Sequence, residues 1–550
     1  MLSVVLLIGV IVLSVLLDTQ WDLTPDKRYT LHPLAKQIVR STDEPIVVTV
    51  LLEGNIPSSF RNYRSYLDHY LAELRRSDRD VEVVYRDVNE GSPEEKLEFR
   101  KFLASRNVVP INRQVSSGDQ ISQELLFPYI SVHDNDEIVF INLLGNQRPG
   151  QSEEEGLVEA QLAFEAKLLR ALRQLSKVRK PQVHVIGGLA QLIAEGYNRD
   201  ERLSGYEFIN SNPGLLLQNK DSVDAIISVI KKDDLTREEL LSVDVVSGGD
   251  VPMIWLVDKT QTTIDSLRRT GSTMAVGNSF QVEDYLFRSG VRIAPELIMD
   301  LQSSMIPQVV NNGSNTEQTQ MMNFPFHPLI VSNDLTPLAA RLNSPLSSYF
   351  VSPLELLEFP RTVVKEVLLS TSPYTKSIKT PRPIDFGFMQ IKPNPDEYQK
   401  GALPIGVKVE GRVKPYFQNR LTAEDKLLLS KYNIPYTLDS QYIEQIIISD
   451  ADIAIPPRDR QGFFPIGYNV LEGRMYDANA VLISNLLESM IDGDDILAIA
   501  QKTTSLSLMD KQKFHMSETF YYLLLLALPL VLLFISYIVY HWHRKRKYAV

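Results

Sequence analysis

The chain has 550 residues, a net charge of −11 and no cysteine. Without cysteine there are no disulfides, thiolate nucleophiles or thiolate-bound metals, and the acidic balance argues against nucleic acid, which needs a concentrated basic surface. Two or three domains are expected at this length, because single cores rarely grow beyond about 250–300 residues.

Met1–Leu17 is apolar and carries no charge. A bilayer-crossing helix needs about 20 apolar residues, so residues 1–17 read as a short transmembrane helix. A cleaved signal peptide is the alternative, but the run has neither a basic leading region nor a small-x-small cleavage site. Just beyond it, Thr24 precedes Pro25 as a helix N-cap, and His32-Pro33 opens a second amphipathic turn with Leu34, Ile38 and Val39 on one side. Pro45–Leu52 is a β-branched run of the kind buried on both faces of a sheet. Tyr63, Tyr66, Leu67, Tyr70, Leu71 and Leu74 recur at helical spacing, and Val81–Arg86 reads as the next strand. This strand–helix–strand order predicts parallel pairing through a right-handed crossover. Ile138–Leu144 adds a strand, and residues 18–150 form an N-terminal α/β domain.

Residues 151–180 are a linking helix centred on Glu153–Lys177, rich in Ala, Leu and Glu. A second α/β domain spans 181–495. Within it, Val183–Gly188 reads as strand and tight turn. Ala225–Val229 and Met253–Val257 are buried strands, with a helix starting at Leu235 between them. Residues 305–400 carry Pro307, Pro325, Pro328, Pro337, Pro345, Pro353 and Pro360 and are expected to run over the surface with only short elements. Ile405–Val409 and Ile446–Ser449 return to strand, and Asn479–Ile491 to helix. Residues 496–519 are a juxtamembrane segment leading into a second span, 520–540. Pro529 interrupts that span, which suggests that the helix packs against a neighbour, and Tyr521, Tyr522, Tyr540 and Trp542 supply interfacial aromatic belts. In the tail, 541–550, Arg544, Lys545, Arg546 and Lys547 place the C-terminus in the cytoplasm. These four residues account for +4, so the portion between the spans carries −15. The expected architecture is α/β, with two Rossmann-like extracytoplasmic units between one N-terminal and one C-terminal transmembrane helix.

Sequences that would announce chemistry are missing. There is no P-loop, His-Glu-x-x-His or Gly-x-Ser-x-Gly, and the eight histidines are scattered, so neither catalysis, a cofactor nor a metal site is expected. Gly187-Gly188 follows a strand but continues Leu-Ala, which favours a structural turn over a phosphate-binding one. Ser247-Gly248-Gly249 reads as a helix C-cap. Asp300, Asp334, Asp450 and Asp452 lie near strand ends and read as turns or caps. Phe326 and His327, in Phe324-Pro-Phe-His-Pro328, sit in a proline-locked segment, a packed loop or one that contacts a ligand.

Several segments together resemble the GldG-like family, associated with gliding motility. They are Trp21–Leu31, Leu286–Leu301, Phe326–Leu329 with Leu335–Leu338, Val409–Arg420, Ser449–Ile453, Pro465–Tyr468 and Asp477–Asn479, in the family's order. The sequence departs from the family pattern at Gly187–Ala190, in the helix before Gly248 and at His32, so no catalytic residue is carried over. The resemblance implies inactive, amidotransferase-like α/β units in a non-enzymatic accessory subunit of an ABC-type transporter. Such a subunit sits in the bacterial inner membrane with both termini cytoplasmic and its bulk periplasmic. Its implied partners are a permease, a cytoplasmic ATPase and periplasmic or secreted proteins, in motility and secretion. Asp22, Thr24, Asp26, Lys27 and Arg28 would then transmit motion between span and sheet, Pro529 would mark packing beside the permease, and the basic tail would meet anionic lipid or the ATPase. Two rival readings are a solute receptor, with Gly187, Gly188, Phe326 and His327 lining a cleft at strand ends, and an envelope scaffold.

Overall fold

The computed structural model describes residues 30–500 apart from 43, 78–79, 107, 118–119, 136, 145–151, 263, 312–316, 331–337, 339–341, 343–344 and 388–392, and, beyond 500, Phe534, Tyr537, Ile538 and His541. Met1–Leu17, nearly all of Phe520–Tyr540, and the coupling candidates Asp22, Thr24, Asp26, Lys27, Arg28, Pro529, Arg544, Lys545, Arg546 and Lys547 lie outside the described residues. Among the described residues, no helix is long and apolar enough to cross a membrane.

His32 caps the first helix, α1 (Pro33–Arg40), its Nδ1 accepting from the Leu34 amide at 3.2 Å. Strands β1 (Ile46–Val50) and β2 (Val81–Tyr85) pair in parallel, joined by α2 (Ser58–Ser77). After α3 (Pro93–Ser105), strands β3 (Tyr129–His133) and β4 (Ile138–Asn142) complete a sheet of order β2-β1-β3-β4. The tyrosine stripe of α2 faces inward, and Phe164 meets Tyr66 and Tyr70 edge-on at 6.1 and 5.5 Å, contacts worth about 0.5–1.5 kcal/mol each beyond their burial. Phe164 belongs to α4 (Glu153–Leu175), which opens with a Ser152–Glu155 capping box.

The larger unit contains β5 (Gln182–Ile186), α5 (Ala190–Tyr197), β6 (Glu207–Ser211), α6 (Pro213–Gln218), β7 (Ala225–Ile230), α7 (Arg237–Ser247), β8 (Met253–Val257) and α8 (Gln281–Phe287). A hairpin, β9 (Ser303–Asn311) and β10 (Glu317–Ile330), follows. Next come β11 (Val363–Ser370), β12 (Pro404–Val413), α9 (Ala423–Lys431), β13 (Gln441–Ile448), α10 (Ala478–Asp492) and α11 (Asp495–Ala500). The main sheet runs β11-β12-β13-β8-β7-β5-β6. Strands β6, β5, β7, β8 and β13 are mutually parallel, β12 joins β13 antiparallel, and β11 pairs antiparallel with β12. Because strand side chains alternate, Val185, Ile227, Val229, Ile254, Leu256 and Ile446 pack with α5 and α10 on one face. Ile226, Ile230, Met253, Trp255 and Ile447 pack with α7 and α8 on the other. The helix expected from Leu235 begins at Arg237, where Thr236 and Glu239 close a capping box.

Two features differ from expectation. The proline-rich stretch is not a surface wander, since it contains the 14-residue strand β10. Pro325 falls where the β9–β10 register shifts, between the Met305↔Asn323 and Ser303↔Pro328 pairs, so its missing N–H breaks no regular ladder. Phe326 and His327 are consequently fully buried strand residues rather than loop residues. Secondly, the segment beyond 495 begins inside the N-terminal unit: Ile496, Ile499 and Ala500 of α11 join the core formed by α1, α2 and α4. Arg170 of α4 also pairs with the buried Glu488 of α10 at 2.7 Å, and Lys177 with Asp492 at 2.7 Å.

One tight approach yields a direct test. Gly290, at φ +81°, ends α8, and a Cβ there would lie 1.9 Å from the Phe359 carbonyl oxygen. Gly290→Ala is expected to cost about 2 kcal/mol or more, from left-handed strain together with backbone displacement, measured as a lowered denaturant midpoint.

Candidate functional site

The sheet order contains a reversal. From β5 the chain goes outward to β6 and then crosses to β7 on the other side, and in open α/β sheets the crevice at such a reversal, at the strands' carboxyl ends, is where ligands bind. Gly187 and Gly188 form the turn there, with Gly187 at φ +108°. A Cβ on Gly187 would stand 3.0 Å from Leu235, and one on Gly188 3.4 Å from Asp233. The turn is therefore pressed against the loop that leaves β7.

That loop begins with Lys231, and the register does the rest. Ile230 pairs with Val257, and Leu256 with Ile448. Parallel neighbours lie about 4.8 Å apart, so the polar residues that follow each apolar strand converge. These are Lys231 after β7, Asp258 after β8, and Asp450 and Asp452 after β13. Lys231 Nζ bonds to Asp452 and lies 3.5 Å from Asp258. Oxygens of Asp258, Asp450 and Asp452 all lie within 4.8 Å of one another. Backbone amides fix the acids. Asp258 accepts from Ala451 at 2.6 Å, and Asp450 accepts from Asp452 at 2.8 Å and from Tyr349 at 2.9 Å. The turn expected at Asp450 is thus present, and it also aims carboxylates into a shared site.

The Ser347–Tyr349 segment is tied to the cluster by the Tyr349 amide and pinned further along. The Ser347 amide donates to Asn479 of α10, Asn479 returns bonds to the carbonyls of Ser347 and Ile453, and Ser348 Oγ donates to the Pro328 carbonyl at 2.6 Å. Against it packs His327, its ring edge-on to Phe324, Tyr349 and Phe350 at 4.7, 4.5 and 5.1 Å. Neither ring nitrogen has a hydrogen-bond partner.

Electrostatics follow from burial. Asp258 is pushed up to about 7 by burial and by Asp452, with Lys231 opposing, and Asp450 is raised by burial, Asp258 and Asp452. Burial alone would lower Lys231, but Asp452 and Asp258 hold it firmly protonated. His327 is driven down to about 3, first by burial and then by Lys231, and stays neutral. Asp258 binds protons more tightly folded than unfolded, so its contribution to stability is complete below pH about 4 and is lost as pH rises through 7. His327 acts oppositely below its ordinary range, so the clean comparison is with Asp258→Asn, which leaves the histidine effect in place. In buffer free of divalent ions, the native chain should gain stability relative to Asp258→Asn as pH falls from 7 towards 4. A pH-independent difference in unfolding free energy would contradict the raised proton affinity.

Of the residues singled out from sequence, the structure packs His327 against Tyr349, whose amide holds Asp450, and sets the Gly187-Gly188 turn against the loop after β7, while Phe326 packs in the aromatic core with Phe324 and Phe350. Lys231 and Asp258 escaped notice, although each is the first charged residue after a fully buried strand, Ala225–Ile230 and Met253–Val257. Asp300 is a buried turn acid elsewhere, bonded to Gln302 and Ser372.

Fold and site together define a two-unit α/β protein whose larger unit gathers a charged cluster at its strand ends. A family described as an ABC-type uncharacterized transport system matches residues 190–485, just over half of the chain, and the chain belongs to that family. Residues 25–133 match a domain of unknown function. No curated protein matches. Among solved structures, the "mmIFT52 N-terminal domain" is 8% identical, with 56% of this chain and 96% of that chain covered and a TM-score of 0.25. A ThuA-like protein from Bacteroides uniformis ATCC 8492 is 11% identical, with 56% and 91% covered and a TM-score of 0.24.

Proposed function

We propose that this auxiliary component of an ABC-type transport system is a non-enzymatic subunit of the GldG-like kind, anchored in the bacterial inner membrane by both ends. Its α/β units would lie in the periplasm and couple a permease and a cytoplasmic ATPase to periplasmic or secreted partners in motility and secretion. The family match carries the transport assignment. Double anchoring is supported by the uncharged runs at 1–17 and 520–540. It is supported too by the packing of α1 and α11, the first and last described helices before residue 501, against the same helix α4. Force applied at either end would reach α4, and from it, through Arg170–Glu488 and Lys177–Asp492, the larger unit. Purification of the tagged full chain in mild detergent, with mass spectrometry, tests the reading. Recovery with a permease and an ATPase is expected, and recovery with envelope proteins alone would favour a scaffold. The solute-receptor reading gains one observation, the buried, unbonded imidazole of His327 beside the strand-end cluster.

A further inference from the structure

The short helix α11 divides its apolar residues between two cores. Ile496, Ile499 and Ala500 recur at helical spacing on one face and are buried with α1, α2 and α4 in the N-terminal unit. Leu497, about 100° round the helix from Ile496, has no exposed surface and is buried with α5, α10 and the main sheet of the larger unit. One helix is thus a shared piece of both interiors, and the chain leads from it towards the uncharged run at 520–540.

Two further observations concern how this helix is held. Its attachment to α10 is a bend at residues 493–494. Gly493 stands at φ +83°, its amide closes α10 on the Ser489 carbonyl at 3.2 Å, and a Cβ there would meet nothing within 4 Å. Asp494 accepts from Ser489 Oγ at 2.5 Å. The bend therefore faces open space and can swing without displacing α10. Beside it, α4 and α10 meet through charge: Arg170 with Glu488, Lys177 with Asp492, and Arg173 with the Asp492 carbonyl at 3.3 Å. The Arg170 and Lys177 side chains stay 34% and 22% exposed, and ion pairs open to solvent hold weakly and are screened by salt. Helix α11 adds what they lack, apolar contact that salt does not screen.

We propose that α11 is a bolt between the two units. Seated, it fixes their arrangement; drawn out about Gly493 by tension on the C-terminal chain, it releases them to move about the connection at 176–181. The tension comes from the membrane anchoring proposed above, on which that step rests, whereas the locking is a property of the chain alone. Each unit keeps the rest of its core when the bolt leaves, because α11 gives one buried residue to the larger core and three to the smaller.

The chain has no cysteine, so Asn62→Cys on α2 and Lys426→Cys on α9, both at exposed positions, place one spin label on each unit. Double electron–electron resonance on the full chain in detergent should give one narrow distance distribution, unchanged in about 1 M NaCl, where charges are screened beyond about 3 Å. Leu497→Asp, which puts a charge into the bolt's contact with the larger unit, should widen the distribution about twofold or more and make it salt-dependent. Hydrogen-exchange protection of β1, β7 and β8 should persist, because both units stay folded. In an optical trap holding residue 62 and the C-terminus, a reversible lengthening should precede the unfolding of either unit, and Leu497→Asp should shift it to lower force. A distribution as narrow and salt-independent in Leu497→Asp as in the native chain would overturn the proposal. So would widening accompanied by lost protection in β7 and β8, or unfolding of a whole unit as the first event under load. Neither measurement involves a permease or an ATPase, so the bolt can fail while the transport role stands, and the reverse.

Discussion

Replacing Lys231 by methionine is expected to destabilise the chain by about 3–5 kcal/mol at neutral pH in buffer free of divalent ions, the cost of breaking a largely buried ion pair from one side. Lys231 is the cation recorded at Asp258 and Asp452, and neither Asp258 nor Asp450 can turn to water, since their orientation is fixed by backbone amides. The loss should shrink as pH is lowered, because a protonated Asp258 no longer needs a counter-charge. Adding Asp258→Asn to Lys231→Met should likewise recover part of it, which distinguishes electrostatics from lost packing. Denaturant unfolding of the two single variants and the double variant measures this coupling.

The second large effect is expected at Asp244→Ala. Asp244 lies in α7 with no exposed surface and accepts from four donors. These are Arg288 at 2.7 Å, the Tyr436 hydroxyl at 2.7 Å, and the amides of Tyr416 and Phe417 at 3.2 and 3.3 Å. Arg288, at the C-terminus of α8, also stacks 3.9 Å over Tyr285. The carboxylate therefore joins two helices to the turn after β12, and burial together with Asp244 raises the Tyr436 phenol. Alanine would leave the guanidinium without its anion and the Tyr436 hydroxyl and Tyr416 amide without their acceptor, while the Phe417 amide keeps the Tyr436 oxygen, a loss of about 3–5 kcal/mol. Asn should recover only part of this, because one amide oxygen replaces two charged ones. A loss below about 1 kcal/mol on denaturant unfolding would mean that the turn is held by packing alone.

Much of the fold could be read from local pattern. The apolar runs at Ile46, Ala225, Met253 and Ile446 are buried strands, and the tyrosine stripe of α2 is core, because burial on one or both faces leaves its period in the sequence. Proline concealed β10, whose irregular register accommodates residues that a regular ladder would refuse. The six residues of α11 are too few for their apolar pattern to announce a partner some 330 positions earlier. The site was least legible of all. Asp450 and Asp452 stood out as turn formers, but Lys231 and Asp258 acquire meaning only when β7, β8 and β13 are neighbours, a pairing that joins residues about 190 apart.

The claim that this chain is a working transporter subunit is tested most directly by reconstitution. ATP hydrolysis would be measured in proteoliposomes containing the permease and ATPase recovered with it, with and without the full chain at matched transporter content. The account predicts that the turnover rate changes when the chain is present, and that Ile496→Asp, which introduces a charge where α11 meets the N-terminal core, abolishes the change while the chain remains in the membrane. An identical rate with and without the chain, accompanied by its failure to co-sediment with the permease, would contradict it.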